Sequence, residues 1–388
     1  MEISTEKIAA DCIKAINEKI RNLKTLNIIV AGKTGVGKST LINSVFREQL
    51  VETGIGRPVT DHMRKISKKG FPLNIYDTRG FELGKDAQTE VKNEVLNTIR
   101  QRLVEKDVNQ AIHCIWYCIN NASNRIEPEE IQWLRDFAEE NKVTQVPVII
   151  VLTQSFSKKH AKEMQDMIIN ENLDVVQVVP VLALDYEIDE EYVIKSYGLD
   201  TLISVMSEAL PEELIDTLQN VQKASLEEKK RRAHAVVATA TAAAFGEGFT
   251  PIPFADSALL IPTQVGMIAS ITAIFGLDVS KSIITAFVSS TLGAGGATIA
   301  GRAIVSNLCK LIPVAGSITG GTISGATAGL LTTALGEAYI KLMEAVYKGD
   351  ISDEAIGTKA GQEQIKILFK EQLIEEKNSE GKKFKLFP

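Results

Sequence analysis

The first half of the chain alternates between two kinds of apolar pattern. Short runs that are apolar at nearly every position predict strands buried on both faces, at residues 27–31, 111–119 and 146–152. Apolar residues at helical spacing predict helices over residues 3–24, 86–105, 128–140 and 199–210. This alternation predicts an α/β fold with a doubly wound, mostly parallel sheet, preceded by an N-terminal helix that packs on the domain after it.

Residues 48–77 have a different pattern. Residues 48–62 follow neither period and contain Gly54, Gly56 and Pro58, so the sequence predicts a loop there. Residues 63–69 and 71–77 flank the turn Lys69-Gly70 and predict two neighbouring strands.

The second half changes sharply in composition, because Ala, Gly, Ile, Thr and Ser dominate residues 233–347. Three stretches carry no charged residue: Ser257–Leu277, Ser282–Gly301 and Leu311–Gly336. Each is at least as long as the roughly 20 residues that cross a bilayer. The sequence therefore predicts a second, all-α, glycine-rich domain at the cytoplasmic face of a membrane. The basic run 229–232 suits an anionic leaflet, and a solvated charged helix explains it equally well.

These changes divide the chain into five predicted segments. They are an N-terminal helix at 1–25, the α/β domain at 26–212, a charged helical linker at 213–232, the glycine-rich helical domain at 233–348 and a polar tail at 349–388. The net charge of −6 argues against binding to nucleic acid. The four cysteines and four histidines show no metal-ligand spacing.

A glycine loop follows the first predicted strand and fits the pattern G-x-x-x-x-G-K-[ST]. Its glycines let successive N–H groups point toward a phosphate, and the helix that follows adds partial positive charge. Lys38 is expected to reach the β- and γ-phosphates, and the Ser39 hydroxyl to ligate Mg²⁺. The predicted nucleotide-binding residues of this phosphate loop are Gly32, Thr34, Gly35, Val36, Gly37, Lys38, Ser39 and Thr40.

Two later segments complete the predicted phosphate and metal site. Asp77, at the end of strand 71–77, is expected to hold the water shell of Mg²⁺, and the Gly80 N–H to meet the γ-phosphate. In the preceding loop Thr60 is the first choice, and Thr53 the second, for the hydroxyl that binds Mg²⁺ and the γ-phosphate. The predicted catalytic residues are Lys38, Thr60 and Gly80, and the predicted metal ligands are Ser39, Thr60 and Asp77.

With these motifs, residues 26–210 resemble the GTPase domains of the Era, septin, chloroplast-import and immunity-related GTPase group. The resemblance implies GTP and GDP as ligands, Mg²⁺ as cofactor and a guanine-reading segment [NT]-K-x-D after Leu152. Here that segment has Gln154 in place of the lysine and Phe156 in place of the aspartate. Thr153, Gln154 and the Ala183 N–H remain predicted nucleotide contacts. GTP is favoured over ATP by the switch architecture alone.

The expected chemistry is slow hydrolysis of GTP. Phe81 follows Gly80 where many small GTPases have a glutamine that orients water, and a phenyl ring cannot do so. The resemblance implies turnover of about 10⁻⁴–10⁻² s⁻¹, completed in trans by a second protomer across the nucleotide face or by another protein. Candidate donors are Arg57, Arg79 and His62, each equally well explained as a solvated side chain.

The glycine-rich half resembles the YcjF-type domain of unknown function, through residues 252–269 and 312–316. This implies association with membrane lipid or a membrane protein. Two other classes stay open: a soluble regulatory ATPase whose helical half binds a protein partner, and an effector whose helices permeabilise membranes.

Overall fold

The computed structural model describes residues 5–50, 55–58, 63–78, 85–123, 125–247, 252–253, 260–277, 279–291, 322–323 and 325–383. The chain forms two compact units. One is Leu23–Glu228, and the other combines Met1–Asn22 with Lys229–Pro388.

The first unit is built on a seven-stranded sheet. Its strands are β1 (Leu26–Ala31), β2 (Ile55–Pro58), β3 (Met63–Ser67), β4 (Leu73–Thr78), β5 (Cys114–Asn120), β6 (Val148–Thr153) and β7 (Gln177–Pro180). In space they run in the order β2-β3-β4-β1-β5-β6-β7. From β4 to β7 the neighbours are parallel, whereas β3 is antiparallel to both β2 and β4. The prediction of a doubly wound, mostly parallel sheet is confirmed.

Helices cover both faces of this sheet. They are α2 (Lys38–Val45), α3 (Lys85–Val104), α4 (Pro128–Asn141), α5 (Lys158–Asn170), α6 (Leu199–Ala209) and α7 (Glu212–Val221). Successive β1 side chains point to opposite faces. Ile28 therefore joins a core with α2, α6 and α7, and Ile29 joins a core with α3, α4 and α5. Because α7 contributes to the first core, the boundary drawn from the sequence at residue 212 falls inside this unit.

Strand β2 lies where the sequence predicts a loop over residues 48–62. It pairs with β3 from Ile55 opposite Ser67 to Pro58 opposite Arg64. An edge strand forms its ladder on one side only, so a proline and a glycine are tolerated there. This explains why residues 55–58 show no strand pattern. A further hairpin, β8 (Tyr186–Glu187) with β9 (Val193–Ile194), follows β7.

The second unit is mainly helical. Its helices are α1 (Thr5–Arg21), α8 (Leu226–Glu247, from Lys229 onward), α9 (Leu260–Phe275), α10 (Lys281–Thr291), α11 (Gly325–Lys348), α12 (Asp353–Ile356) and α13 (Lys359–Lys383). Two short strands, β10 (Ile252–Pro253) and β11 (Thr322–Ile323), pair with each other.

Helix α1 packs against α9 and α10, through a face that includes Ile8, Cys12 and Ile16. The prediction that it packs on the α/β domain that follows it is wrong. Helical spacing in the sequence identifies which face of α1 is buried. It does not identify the helices that cover this face, because α9 and α10 lie more than two hundred residues later in the chain.

Among the described helices, none is long and apolar enough to cross a membrane. Within the basic run 229–232, Lys229 is fully buried and its ammonium donates to the carbonyl oxygens of Ile274 and Phe275, at 3.0 Å each. Lys230 lies 3.6 Å from the Glu344 carboxylate. Lys229 and Lys230 therefore both make contacts inside the helical unit.

Candidate nucleotide site

The phosphate loop turns sharply between β1 and α2, and its glycines make that turn feasible. Gly32, Gly35 and Gly37 all have positive φ angles, at 140°, 76° and 92°. At Gly32 a Cβ atom would lie 2.3 Å from the carbonyl oxygen of Cys118 on β5. A side chain is therefore excluded there by both backbone conformation and close approach.

The ammonium group of Lys38 lies within its own loop. It donates to the carbonyl oxygens of Gly32 and Lys33, at 2.8 and 3.0 Å. Lys38 is the first residue of α2, and the N-cap before it is Gly37. Because the helix begins without a capping side chain at Gly37, its first N–H groups can receive an anion.

Two other loop carbonyls are held by side chains from the end of β6. The single proton of the Thr153 hydroxyl is shared between the carbonyl oxygens of Val36 and Ile119, and the Gln154 amide donates to the carbonyl oxygen of Gly35 at 3.0 Å. These side chains engage carbonyl oxygens of the loop, and the loop's N–H groups are the donors that a phosphate would bind. The sequence predicts that Thr153 and Gln154 contact the nucleotide, and the structure brings both against the phosphate loop.

A second lysine of the loop is held away from Lys38. The Lys33 ammonium lies 2.8 Å from the Glu130 carboxylate at the start of α4, and Tyr117 donates its hydroxyl to the same carboxylate at 3.1 Å. Burial, together with the neighbouring Glu130 carboxylate, raises the pKa of Tyr117 well above its ordinary value. The tyrosine therefore stays a neutral hydrogen-bond donor.

The predicted metal ligands include one incompletely satisfied carboxylate. Asp77 lies in β4, and burial raises its pKa while the charges of Lys38 and Arg64 lower it. Its Oδ1 atom and the hydroxyl of Thr78 are buried and have no hydrogen-bond partner within the described residues. Ser39 and Thr40 are exposed at the mouth of the loop. An exposed serine hydroxyl and a carboxylate oxygen that has no partner among the described residues are oxygen ligands of the kind that Mg²⁺ prefers.

Several predicted residues lie outside the described part of the chain. They are Thr53, Thr60, His62, Arg79, Gly80 and Phe81. For Arg57 only the backbone, in β2, is described.

A pocket of about 270 Å³ opens beside the phosphate loop. Its walls come from the loop and α2, from the segment after β6 and from the segment after β7. The residues that line it include Gly37, Thr40, Thr153, Gln154, Phe156, Ala183, Asp185 and Tyr186. Phe156 packs on Tyr186, with 4.4 Å between ring centroids. The two rings give the pocket an aromatic wall where the resemblance implies an aspartate.

Asp185 supplies a carboxylate at this pocket. The Lys195 ammonium lies 2.8 Å from its Oδ2 atom, and the Ser196 N–H donates to Oδ1 at 2.8 Å. These two hydrogen bonds lower the pKa of Asp185 to about 2. Asp185 and Tyr186 are not among the residues predicted from the sequence. The available signal was their position directly after the segment that contains Ala183.

Two family models match the chain in succession. Residues 22–203 match the model described as Septin. Residues 214–373 match the model described as Domain of unknown function (DUF697).

Similar proteins were found among curated sequences. Translocase of chloroplast 90 of Arabidopsis thaliana is 38% identical over 84 residues, which is 21% of this chain and 10% of that protein. Translocase of chloroplast 34 of Pisum sativum is 34% identical over 102 residues, 25% of this chain and 31% of that protein. Neuronal-specific septin-3 of Homo sapiens is 20% identical over 220 residues, which cover 49% of this chain and 61% of that protein. The chain thus spans less than two thirds of each of these relatives.

Solved structures also resemble the chain, at low identity. A probable GTP-binding protein engB is 20% identical with a TM-score of 0.34, over 47% of this chain and 97% of that one. Toc33 from Arabidopsis thaliana in complex with GDP and Mg²⁺ is 17% identical with a TM-score of 0.32, over 56% and 95% respectively.

Proposed function

We propose that this chain, which combines a septin-type P-loop GTPase domain with a DUF697 helical domain, binds GTP with Mg²⁺ and hydrolyses it to GDP as a nucleotide-controlled switch. The observation that carries the proposal is the phosphate loop around Lys38, with four of its carbonyls held by donors and its glycines in positive φ. Such a loop is built to receive a phosphate chain through its N–H groups.

Mg²⁺ completes the proposed site. Ser39 and Asp77 are the described residues that would hold it, with Thr60 and the Gly80 N–H as the further predicted contacts. When bound, the metal neutralises charge on the β- and γ-phosphates. Lys38 turns from the carbonyl oxygens of Gly32 and Lys33 to the phosphates, which supply a stronger, charged acceptor.

The base belongs in the pocket lined by Phe156, Asp185 and Tyr186. Guanine presents two adjacent N–H donors on one edge, and a carboxylate can accept both. Because the pKa of Asp185 is about 2, this carboxylate is ionised at neutral pH. Adenine lacks that pair of donors, so Asp185 would favour GTP. The aromatic wall and Gln154 can contact guanine and adenine equally well. A regulatory ATPase therefore stays the second candidate.

Slow turnover and action in trans are parts of the same proposal. Because Phe81 cannot orient the attacking water, the rate of GTP hydrolysis should rise when a second protomer or another protein covers the nucleotide face and supplies the missing group.

The helical domain is proposed to bind a membrane lipid or membrane protein, which the uncharged stretches of its sequence favour. Retention of the full chain on liposomes with GTP, but not with GDP, tests that coupling.

Calorimetry of the full chain with GTP and ATP, each with Mg²⁺, tests the nucleotide assignment. The wild type is expected to bind GTP more tightly than ATP. Lys38→Ala should weaken both by at least tenfold, or about 1.4 kcal/mol. Asp185→Asn should weaken GTP alone by about tenfold, because it replaces an ionised acceptor with a group that is half donor.

Two exposed positions serve as controls. Lys159→Ala removes a lysine from the exposed first turn of α5, and Asp189→Asn removes a carboxylate from the same hairpin as Asp185. Neither should change affinity. If Lys38→Ala leaves binding unaltered, the site is misassigned. If ATP displaces GTP equally in the wild type, the ATPase replaces the GTPase.

A further inference from the structure

Arg64 lies beside Asp77, the predicted magnesium ligand, on the neighbouring strand. The two residues lie directly opposite each other in the register of β3 and β4. The Arg64 Nη2 atom is 3.5 Å from Asp77 Oδ2. The other carboxylate oxygen, Oδ1, is buried and has no hydrogen-bond partner within the described residues. The carboxylate thus has a protein cation beside one oxygen, whereas its other oxygen has no partner among the described residues.

We propose that Arg64 is a resident counter-cation for Asp77 that sets how much Mg²⁺ the nucleotide site requires. It neutralises the carboxylate while the metal is absent, and it repels the metal when nucleotide arrives. This inference rests on the proposed function, since it concerns the metal of that same site.

The chemistry of the two groups supports a balance of this kind. The Asp77 side chain is 21% exposed, so leaving its charge without a cation is costly in the free protein. A guanidinium stays charged throughout the physiological range, so its effect is always present. Arg64 is 47% exposed and makes a single long contact with Asp77. Its side chain can therefore turn toward water when a divalent ion takes over the carboxylate.

Lys38 does not remove the need for Arg64. Its ammonium is engaged by the carbonyl oxygens of Gly32 and Lys33, and it turns to the phosphates when nucleotide binds. Among the described residues, Arg64 is then the cation beside Asp77 that continues to compete with Mg²⁺. Loss of its charge should strengthen metal binding, whereas loss of a purely structural residue would weaken it.

The test is the Mg²⁺ concentration that gives half-maximal GDP binding to the full chain, measured by fluorescence of a labelled GDP. Arg64→Gln should lower this concentration by about three- to tenfold, as expected for removing one partly screened charge. Arg64→Lys keeps the charge and should remain close to the wild type. Arg64→Met is a second neutral variant, so a folding defect of one substitution does not decide the result.

Two controls separate this effect from general electrostatics. Lys69→Gln removes the same charge from the exposed turn between β3 and β4 and should leave the Mg²⁺ requirement unchanged. In an Asp77→Asn background, Arg64→Gln should have no further effect, because the two substitutions act on one pair.

The outcomes distinguish the two proposals. A wild type that binds no nucleotide at any Mg²⁺ concentration overturns the proposed function, and this inference with it. A wild type that binds GDP, with neutral Arg64 variants that need as much Mg²⁺ as before or more, overturns the role of Arg64 alone.

Discussion

Lys33 and Lys38 lie in one loop and are used in opposite ways. The Lys38 ammonium donates to two carbonyl oxygens of the loop, which are neutral acceptors that a phosphate can replace. The Lys33 ammonium pairs with Glu130, whose carboxylate is only 8% exposed and also accepts from Tyr117. Breaking that pair would leave the negative charge of the buried Glu130 carboxylate without its neighbouring cation, so the Lys33 side chain is expected to stay in place. Only Lys38 is free to follow the nucleotide.

At the residue scale, His113 should make the stability of the α/β unit depend on pH. Its Nδ1 accepts from the Asn27 N–H, and its Nε2–H donates to the carbonyl oxygen of Val108. Burial lowers the pKa of this imidazole from 6.5 to about 4. Between those values the unfolded chain binds a proton that the folded chain does not. The free energy of unfolding should therefore fall as pH decreases from 6.5 to 4, by up to roughly 3 kcal/mol, and stay level above 6.5.

Urea unfolding followed at pH 7 and pH 4.5 measures this effect. His113→Gln should lower the stability at pH 7 and reduce the difference between the two pH values. His160→Gln, at an exposed position in the first turn of α5, should leave that difference unchanged. An unaltered pH difference in His113→Gln would assign the acid sensitivity to other groups.

The sequence predicted the phosphate-loop residues but not the contacts that hold the loop. The pattern that contains Lys38 is local, so spacing alone identifies it. The donation from Thr153 to Val36 joins residues far apart in the chain, at the edge where β6 ends. That contact depends on the order of the strands, and so does the pairing of Arg64 with Asp77. A pattern within one short segment cannot predict either contact, because each joins residues on different strands.

At the scale of elements, close packing in the helical unit depends on small residues. Gly321, Gly325 and Gly329 recur every four residues, and this spacing predicts a ridge of small residues along which helices pack closely. At Gly329 of α11, a Cβ atom would meet Thr241 of α8 at an ordinary 3.6 Å. A closer approach lies seven residues beyond Gly329, at Gly336 of α11. A Cβ atom there would lie 2.5 Å from Val237 and 2.9 Å from Met267.

Gly336→Ala should therefore destabilise the helical unit. Alanine favours a helix interior by about 1 kcal/mol over glycine, but the added methyl meets Val237, a buried β-branched residue with little freedom to move. Overpacking of this kind costs about 1–3 kcal/mol, so the net change is a loss. Thermal unfolding followed by circular dichroism measures it.

Gly266→Ala is the matched control, because it also lies inside a helix but, apart from its own helix backbone and chain neighbours, no atom of the described residues lies within 4 Å of its Cβ position. It should raise stability by up to about 1 kcal/mol. If the two substitutions change stability in the same direction and by equal amounts, helix propensity rather than packing governs both sites.

Elements with a long apolar period were predicted closely, and short ones were not. The helix expected at 128–140 is Pro128–Asn141, and the one expected at 86–105 is Lys85–Val104. Strand β2 and the β8–β9 hairpin span four and two residues per strand, too few for a periodic signal. The hairpin supplies the pocket residue Tyr186, so the missed element is part of the candidate site.

At the scale of the whole molecule, α1 shows that order along the chain does not decide membership in a unit. It precedes the α/β unit directly, yet its buried face packs on α9 and α10. Conversely, α7 follows the last helix predicted for the α/β domain and completes a core of that unit through Leu214, Leu218 and Val221. Both assignments rest on contacts between distant segments.

Removal of residues 1–22 should consequently destabilise the helical unit and spare the nucleotide site. The deletion exposes the surfaces of α9 and α10 that cover Ile8, Cys12 and Ile16, and each isoleucine alone represents about 1.5–3 kcal/mol of burial. Hydrogen exchange should accelerate in residues 260–291 but not in residues 26–45, with GDP affinity unchanged. Ile8→Asp should have the same effect in smaller measure, while Lys14→Asp, on the exposed face of the same helix, should have none. Loss of GDP binding with protected 260–291 would instead place α1 with the α/β unit.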